Sequence, residues 1–149
     1  MPLRFVHPVQ RATHQIGLYL NELREQELTQ GEAHILALLA ESSPATVAEL
    51  HRGLAHRRST LTSILDRLTD RGLVTRTVGK SDRRTFVIGL TTKGRKLARR
   101  VNQHLARLEH SVCRQVSDAD IAGFTRVIGA LESEAEQRSS RADHRSSGP

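Results

Sequence analysis

Aromatic side chains are almost missing from this chain: three Phe, one Tyr and no Trp in 149 residues. That scarcity argues against readers of single-stranded nucleic acid, which stack bases on exposed rings. Cysteine occurs once, at Cys113, so an intrachain disulfide and a Cys-rich zinc module are excluded. The N-terminal MPLRFVHPVQ lacks the apolar run of a secretory signal. No window approaches the roughly 20 apolar residues of a membrane span. A soluble, cytoplasmic chain with no membrane partner is expected. Also missing are a phosphate-cradling glycine loop, a loop-borne Ser/His/Asp grouping and paired carboxylates in a pocket-like setting. The residues therefore do not point to an enzyme, and no cofactor is expected.

What the chain does have is segregated charge. Between Arg57 and Arg100 stand thirteen Lys or Arg against three acids, Asp66, Asp70 and Asp82, a formal +10 where the whole chain carries +7. A basic tract between mildly acidic flanks is the electrostatic footprint of a polyphosphate-binding face. With so few rings for stacking, duplex DNA is the better target, and the chain would be nucleoid-associated.

Hydrophobic spacing orders the elements. Val9, Ala12, Ile16, Tyr19, Leu20 and Leu23 predict a helix from about Val9 to Leu28. Thr29 and Glu32 form a capping box opening a second helix that ends near Ser42, and Thr46 with Glu49 repeats the box for a short helix ending around Gly53. A fourth helix spans roughly Arg57 to Arg71, with Leu61, Ile64, Leu65 and Leu68 on one side and Gly72 at the position of a left-handed cap. Two helices joined by a short turn make a helix-turn-helix candidate. The period then changes to two: LVTRTV, a polar turn GKSDRR and TFVIGL predict a β-hairpin, with Val74 and Val78 on one strand and Phe86, Ile88 and Leu90 on the other. From Thr91, a long helix carries Leu97, Val101, Leu105, Leu108, Val112 and Val116 near a heptad seam, which wants another helix against it. Ser117 with Asp120 caps a last helix bearing Ile121, Phe124, Val127, Ile128 and Leu131. The polar tail should be disordered.

The fourth helix and the hairpin turn hold the candidate contacts. With Leu61, Ile64 and Leu68 facing a core, Ser59, Ser63, Asp66 and Asp70 face outward, flanked by Thr60, Thr62 and Arg67. Small hydroxyl side chains let a helix approach the major groove closely and bond base edges or phosphate, while Arg57 and Arg58 add charge for phosphates. The turn gathers Lys80, Arg83 and Arg84 around the single acid Asp82. Such a carboxylate can hold a guanidinium extended by a bidentate contact, ready for a narrow minor groove.

The segment LTQGEAHILALLAESSPATVAELHRGLAHRRSTLTSILDRLTDRGLVTRTVGKSDRRTFVIGLTTKG resembles the core of the MarR (multiple antibiotic resistance regulator) family of winged-helix repressors. The likeness is most specific in RRSTLTSILDRLTDRGLV, in Asp82-Arg83-Arg84 as an Asp-x-Arg wing motif, and in Leu90, Thr91 and Gly94 as Leu-Thr-x-x-Gly; it extends from about residue 10 to 136. The resemblance implies a mainly α fold with a small β-hairpin wing: a dimerisation helix over 1–28, a winged helix-turn-helix lobe over 29–91, dimerisation helices over 92–137, and a disordered tail over 138–149. It implies a twofold homodimer laying the fourth helix of each lobe in a major groove and the wing in the adjacent minor groove. Arg84 would be the minor-groove arginine and Asp82 its holder. A palindromic operator with half-sites about one helical turn (roughly 10 bp) apart would mirror that symmetry.

The same family is usually controlled by small molecules, phenolic or other apolar anions, bound between the dimer helices and the winged lobe. In this chain such a pocket would draw on Arg11, His14, Tyr19 and His34. Zinc sensing is not supported by the spacing: His104 and His110 are six apart and neither has an i+4 His partner. His34, on a presumed core helix, reads as a structural histidine. Family members that sense organic peroxides place the reactive cysteine in the first helix, whereas Cys113 stands near the end of the long helix and reads as a helix-buried thiol. Two readings compete with a ligand-released repressor: a winged-helix module gripping an acidic protein partner, and a zinc- or oxidant-responsive form of the same regulator.

Overall fold

A computed structural model describes residues 2–26, 28–54 and 58–146. In chain order the elements are α1 (Val6–Leu20), a 3₁₀ segment (Asn21–Gln26), α2 (Gln30–Ser42), β1 (Ala45–Thr46), α3 (Val47–Leu54), α4 (Arg58–Asp70), β2 (Val74–Val78), β3 (Phe86–Leu90), α5 (Thr92–Cys113) and α6 (Asp118–Ser146). Contacts divide the chain into two units, residues 12–107 and residues 1–11 with 108–149. The inner turns of α1 and α5 thus belong to the same unit as the winged lobe.

The lobe's core follows from the apolar stripes. Ile35, Leu36 and Leu39 of α2, Leu50 of α3, Leu61, Leu65 and Leu68 of α4, Ile88 of β3 and Val101 of α5 form one buried cluster. The helix ends are closed by the residues that predicted them. Thr29 Oγ1 accepts from the Glu32 N–H (3.2 Å) while Glu32 Oε2 accepts from the Thr29 N–H (2.9 Å). Thr46 and Glu49 repeat this pairing, as do Ser117 and Asp120. Gly72, at φ 67°, ends α4 in the left-handed region, where Gly alone has no steric cost.

Four expectations are corrected. The first helix is not continuous to Leu28: α1 stops at Leu20, and Leu23, with ψ 35°, leaves the helical region in the 3₁₀ segment. Leu20 and Leu23 both pack against the core. Secondly, the sheet has three strands in the order β1-β3-β2, all antiparallel, with Ala45 opposite Ile88 and Val74 opposite Leu90. Two-residue β1 has no period to betray it; its partner strand creates it. Thirdly, α6 runs on through Ser146 where residues from 138 were expected disordered. Along it Arg138 Nε donates to Glu134 Oε2 (3.2 Å), an exposed i,i+4 pair, and Ser140 Oγ donates to the Glu136 carbonyl (3.0 Å). Fourthly, Cys113 is exposed, not buried, because nothing within the single chain covers the last turn of α5.

The second unit, by itself, leaves apolar side chains uncovered. Leu3, Phe5, Val112, Ile121, Phe124 and Val127 are all exposed, Phe124 to 65%. Neither α1 nor α6 has a buried residue along its described length.

Candidate nucleic-acid interface

The α4 stripe sets its outward face. Leu61, Ile64, Leu65 and Leu68 are buried, and Arg58, Ser59, Thr60, Thr62, Ser63, Asp66 and Arg67 are exposed, as the helical period requires. Arg57 lies outside the described residues. A groove of about 570 Å³ opens between α3, α4 and the hairpin, floored by Val47, Leu61 and Phe86 and rimmed by His51, Arg52, Arg58, Thr62, Arg76 and Arg84. Among the described residues no carboxylate lines it, although Asp66 and Glu49 bond its lining residues Arg76 and Thr46. A second, shallower groove brings Ser59, Thr60, Ser63 and Arg67 beside Thr29 and Gly31 at the start of α2.

The hairpin turn is organised differently from expectation. Asp82 Oδ1 accepts from the backbone N–H of Arg84 (2.9 Å), and the Asp82 carbonyl accepts from both the N–H (3.1 Å) and the hydroxyl (2.7 Å) of Thr85. Asp82 thus holds the backbone that carries Arg84; it makes no ion pair with the Arg83 or Arg84 guanidinium. The short aspartate side chain reaches an N–H two residues on more readily than a guanidinium that can extend into water. Gly79 closes the turn by donating to the Thr85 carbonyl (2.8 Å), and a Cβ there would collide with the Thr85 hydroxyl and the Asp82 carbonyl. Lys80, Arg83 and Arg84 stand exposed at this end of the sheet. Phe86 and Val78, paired in register and expected to face inward, are exposed as well, because this end of the hairpin extends past the core that covers Val74 and Leu90. Arg76 covers the Phe86 ring, 5.3 Å from its centroid, and approaches Asp66 of α4 at 3.6 Å, joining the hairpin to the helix.

Behind α4 lies a buried carboxylate. Glu32, 2% exposed, receives the Thr29 N–H, Arg67 Nε at 2.9 Å and Arg71 Nη1 at 3.4 Å. Burial pushes its carboxyl up most strongly, but the Thr29 N–H and the two guanidinium groups together outweigh that and hold it below the ordinary glutamate value. In sequence Glu32 reads only as half of a capping box; its second role depends on arginines 35 and 39 residues away. His51, Arg52 and Arg76 also escaped the sequence reading; Arg76, two residues after Val74, shares its face of the strand, so the period of two gave no reason to place it outward.

Arg11, His14, Tyr19 and His34 are not brought together in either groove described above. Tyr19 instead joins α1 to α5: its hydroxyl donates to the His104 carbonyl (3.0 Å), its ring stacks on the His104 imidazole at 3.9 Å, and its own carbonyl meets His104 Nε2 at 3.0 Å. His104 is buried, with Arg107 Nη2 at 3.0 Å from its Nδ1. His34 and His14 are exposed. Among the described residues, no group of three or more His, Cys, Asp or Glu is placed to hold a metal. No described helix is long and apolar enough to cross a membrane.

Comparison with known proteins agrees with this geometry. The MarR family model matches residues 28–86. The HTH-type transcriptional regulator YpoP of Bacillus subtilis (strain 168), itself uncharacterised, is 29% identical over 118 residues, covering 79% of this chain and 84% of that one. The fold superposes on Staphylococcus aureus MepR in its DNA-binding conformation with a TM-score of 0.79 at 21% identity, over 89% of this chain and 99% of that one. It superposes on the PcaV transcriptional regulator of Streptomyces coelicolor, solved with its natural ligand, with a TM-score of 0.73 at 22% identity, covering 89% and 94%. The MarR family pattern thus matches the winged helix-turn-helix lobe, from just before α2 to the start of β3, and the architecture around it superposes on the two regulators named above.

Proposed function

We propose that this chain is a homodimeric, sequence-specific reader of double-stranded DNA that represses transcription from a palindromic operator and is released by a small-molecule ligand. One observation carries the reading: the outward face of α4 presents four hydroxyl groups to two grooves, Thr62 to one rimmed by Arg52, Arg58, Arg76 and Arg84, and Ser59, Thr60 and Ser63 to the other beside Arg67. Hydroxyl groups on a helix can meet base edges in a major groove, and surrounding guanidinium groups suit the phosphates on either side. Arg84, carried by the turn that Asp82 fixes, would enter the adjacent minor groove, with Lys80 and Arg83 on its phosphates.

The uncovered apolar faces of α1 and α6 support pairing with a second copy, with α1 and the outer parts of α5 and α6 as the dimer region. Release by a ligand is supported by kinship with PcaV, which was solved with its natural ligand.

Selection of genomic fragments by the purified protein, followed by gel shifts on the recovered duplex, tests the proposal. A palindromic consensus should emerge, and Arg84→Ala should weaken its binding at least tenfold while leaving the protein folded and dimeric. Recovery of no consensus, or unchanged affinity for Arg84→Ala together with the other rim arginines, would refute it.

A further inference from the structure

The α4 hydroxyls are not equivalent. Thr62 Oγ1 donates its proton to the Arg58 carbonyl (2.9 Å), so towards solvent it presents lone pairs and a methyl group. Ser63 differs: its Oγ accepts from Arg67 Nη1 at 2.9 Å, so one of its two lone pairs is taken from within the protein while its proton stays available to the groove it shares with Ser59 and Thr60. Arg67 is fixed in turn by Glu32, whose Oε1 receives Nε at 2.9 Å and whose side chain is 3% exposed. A buried carboxylate in α2 therefore orients an arginine, and the arginine orients a serine.

Resting on the DNA-reading function above, we propose that Arg67 is a positioning residue and not a phosphate contact. Held by Glu32, it biases Ser63 towards donating its hydrogen bond, which favours an acceptor atom, purine N7 or O6 or thymine O4, at one base pair of each half-site. A serine hydroxyl is normally indifferent, since it can donate or accept, and so discriminates poorly between base edges. Filling one of its two lone pairs with a cationic donor reduces the indifference, since the hydroxyl is then a weaker acceptor and a stronger donor. The two bonds need both arms of the guanidinium, so lysine, a single point charge, can keep the ion pair with Glu32 but not reach Ser63 as well.

The test uses the full-length protein and a random-sequence duplex pool. Wild type, Ser63→Ala, Ser63→Thr, Arg67→Lys, Arg67→Ala and the Ser63→Ala/Arg67→Ala double variant are each selected, and affinities are measured for the wild-type consensus, its single-position variants and a scrambled duplex. Circular dichroism confirms that each variant is folded. Ser63→Ala and Arg67→Lys should relax the preference at the same base pair by about five- to tenfold, the size of one neutral hydrogen bond. The scrambled duplex should be bound as by wild type, Ser63→Thr should keep the preference, and the double variant should lose no more than either single one. If Arg67→Lys keeps the preference, or Arg67→Ala weakens every sequence alike and lowers the salt slope by about one, Arg67 is a phosphate contact and the inference is overturned. A wild-type selection that yields no consensus overturns the DNA-reading function along with it, an outcome distinct from a consensus that Ser63 and Arg67 do not influence.

Discussion

Replacing Glu32 by Gln probes the joint between α2 and the recognition helix with almost no change of shape. Thr29 N–H and Arg67 Nε reach different oxygens of the carboxylate, so the single amide oxygen keeps only one of these bonds, and the variant loses the charge together with one acceptor. Hydrogen bonds to a charged group contribute about 1.5–3 kcal/mol against about 0.5–1.5 for neutral ones. The gain is discounted here because the partners are wet: the Arg67 side chain is 47% exposed and that of Arg71 33%. A loss of about 1–2 kcal/mol at pH 7 follows, which for a chain of this size is about 3–6 °C in melting temperature. The effect has a defined pH dependence. Because folding depresses this carboxyl below its ordinary value of 4.5, its contribution is fully present above that pH and disappears as pH falls through the depressed folded value. Thermal melts of wild type and Glu32→Gln at equal protein concentration, from pH 7 down to pH 3, should therefore show two curves about 3–6 °C apart that converge on acidification. Equal melting temperatures at pH 7 would refute the reasoning. A gap that persists undiminished at pH 3 would show that the loss comes from packing and not from the ionised carboxylate.

Four further outcomes are expected. Gly94→Ala should destabilise by about 3 kcal/mol or more in urea unfolding, since a Cβ there collides with the Leu73 carbonyl, which already accepts from Thr91 N–H (3.1 Å) and cannot retreat without breaking that bond. Tyr19→Phe keeps the stack on His104 but deletes the hydroxyl bond to its carbonyl, and should cost about 1 kcal/mol in the same assay. Asp82→Asn should bind the selected operator within about twofold of wild type and Asp82→Ala at least about fivefold more weakly, because the carboxylate's task is to accept the Arg84 N–H, which an amide oxygen also does. Phe124→Glu, at a ring 65% exposed in the single chain, should shift the protein from dimer to monomer in analytical ultracentrifugation.

Much of the architecture was legible because its causes are local. Thr29 and Glu32, Thr46 and Glu49, and Ser117 and Asp120 announce their helices by side chains that bond within one turn, and the structure forms all three. The buried stripe of α4 and the hairpin register follow from periods of 3.6 and 2. What escaped was set by distance along the chain. β1 exists only because Ala45 and Thr46 find β3. The Tyr19–His104 stack joins residues 85 positions apart, so neither periodicity nor spacing announces it. The Asp82 carboxylate takes the Arg84 backbone N–H and not a guanidinium, a choice that sequence leaves open because both donors satisfy the same composition. At α4, sequence alone placed Ser63 and Arg67 on the outward face; the bond between them and its anchor in Glu32 required the packing of α2 against α4.

The central claim, that the cationic lobe reads duplex sequence as a dimer, is tested most directly by one ratio: affinity for the selected operator over affinity for a scrambled duplex of equal length and composition, measured at physiological salt with the chain-to-duplex stoichiometry recorded. A ratio of about 10³ or more, with two chains per operator, is the predicted result. Equal affinity for both duplexes, or saturation by a single chain, would contradict it.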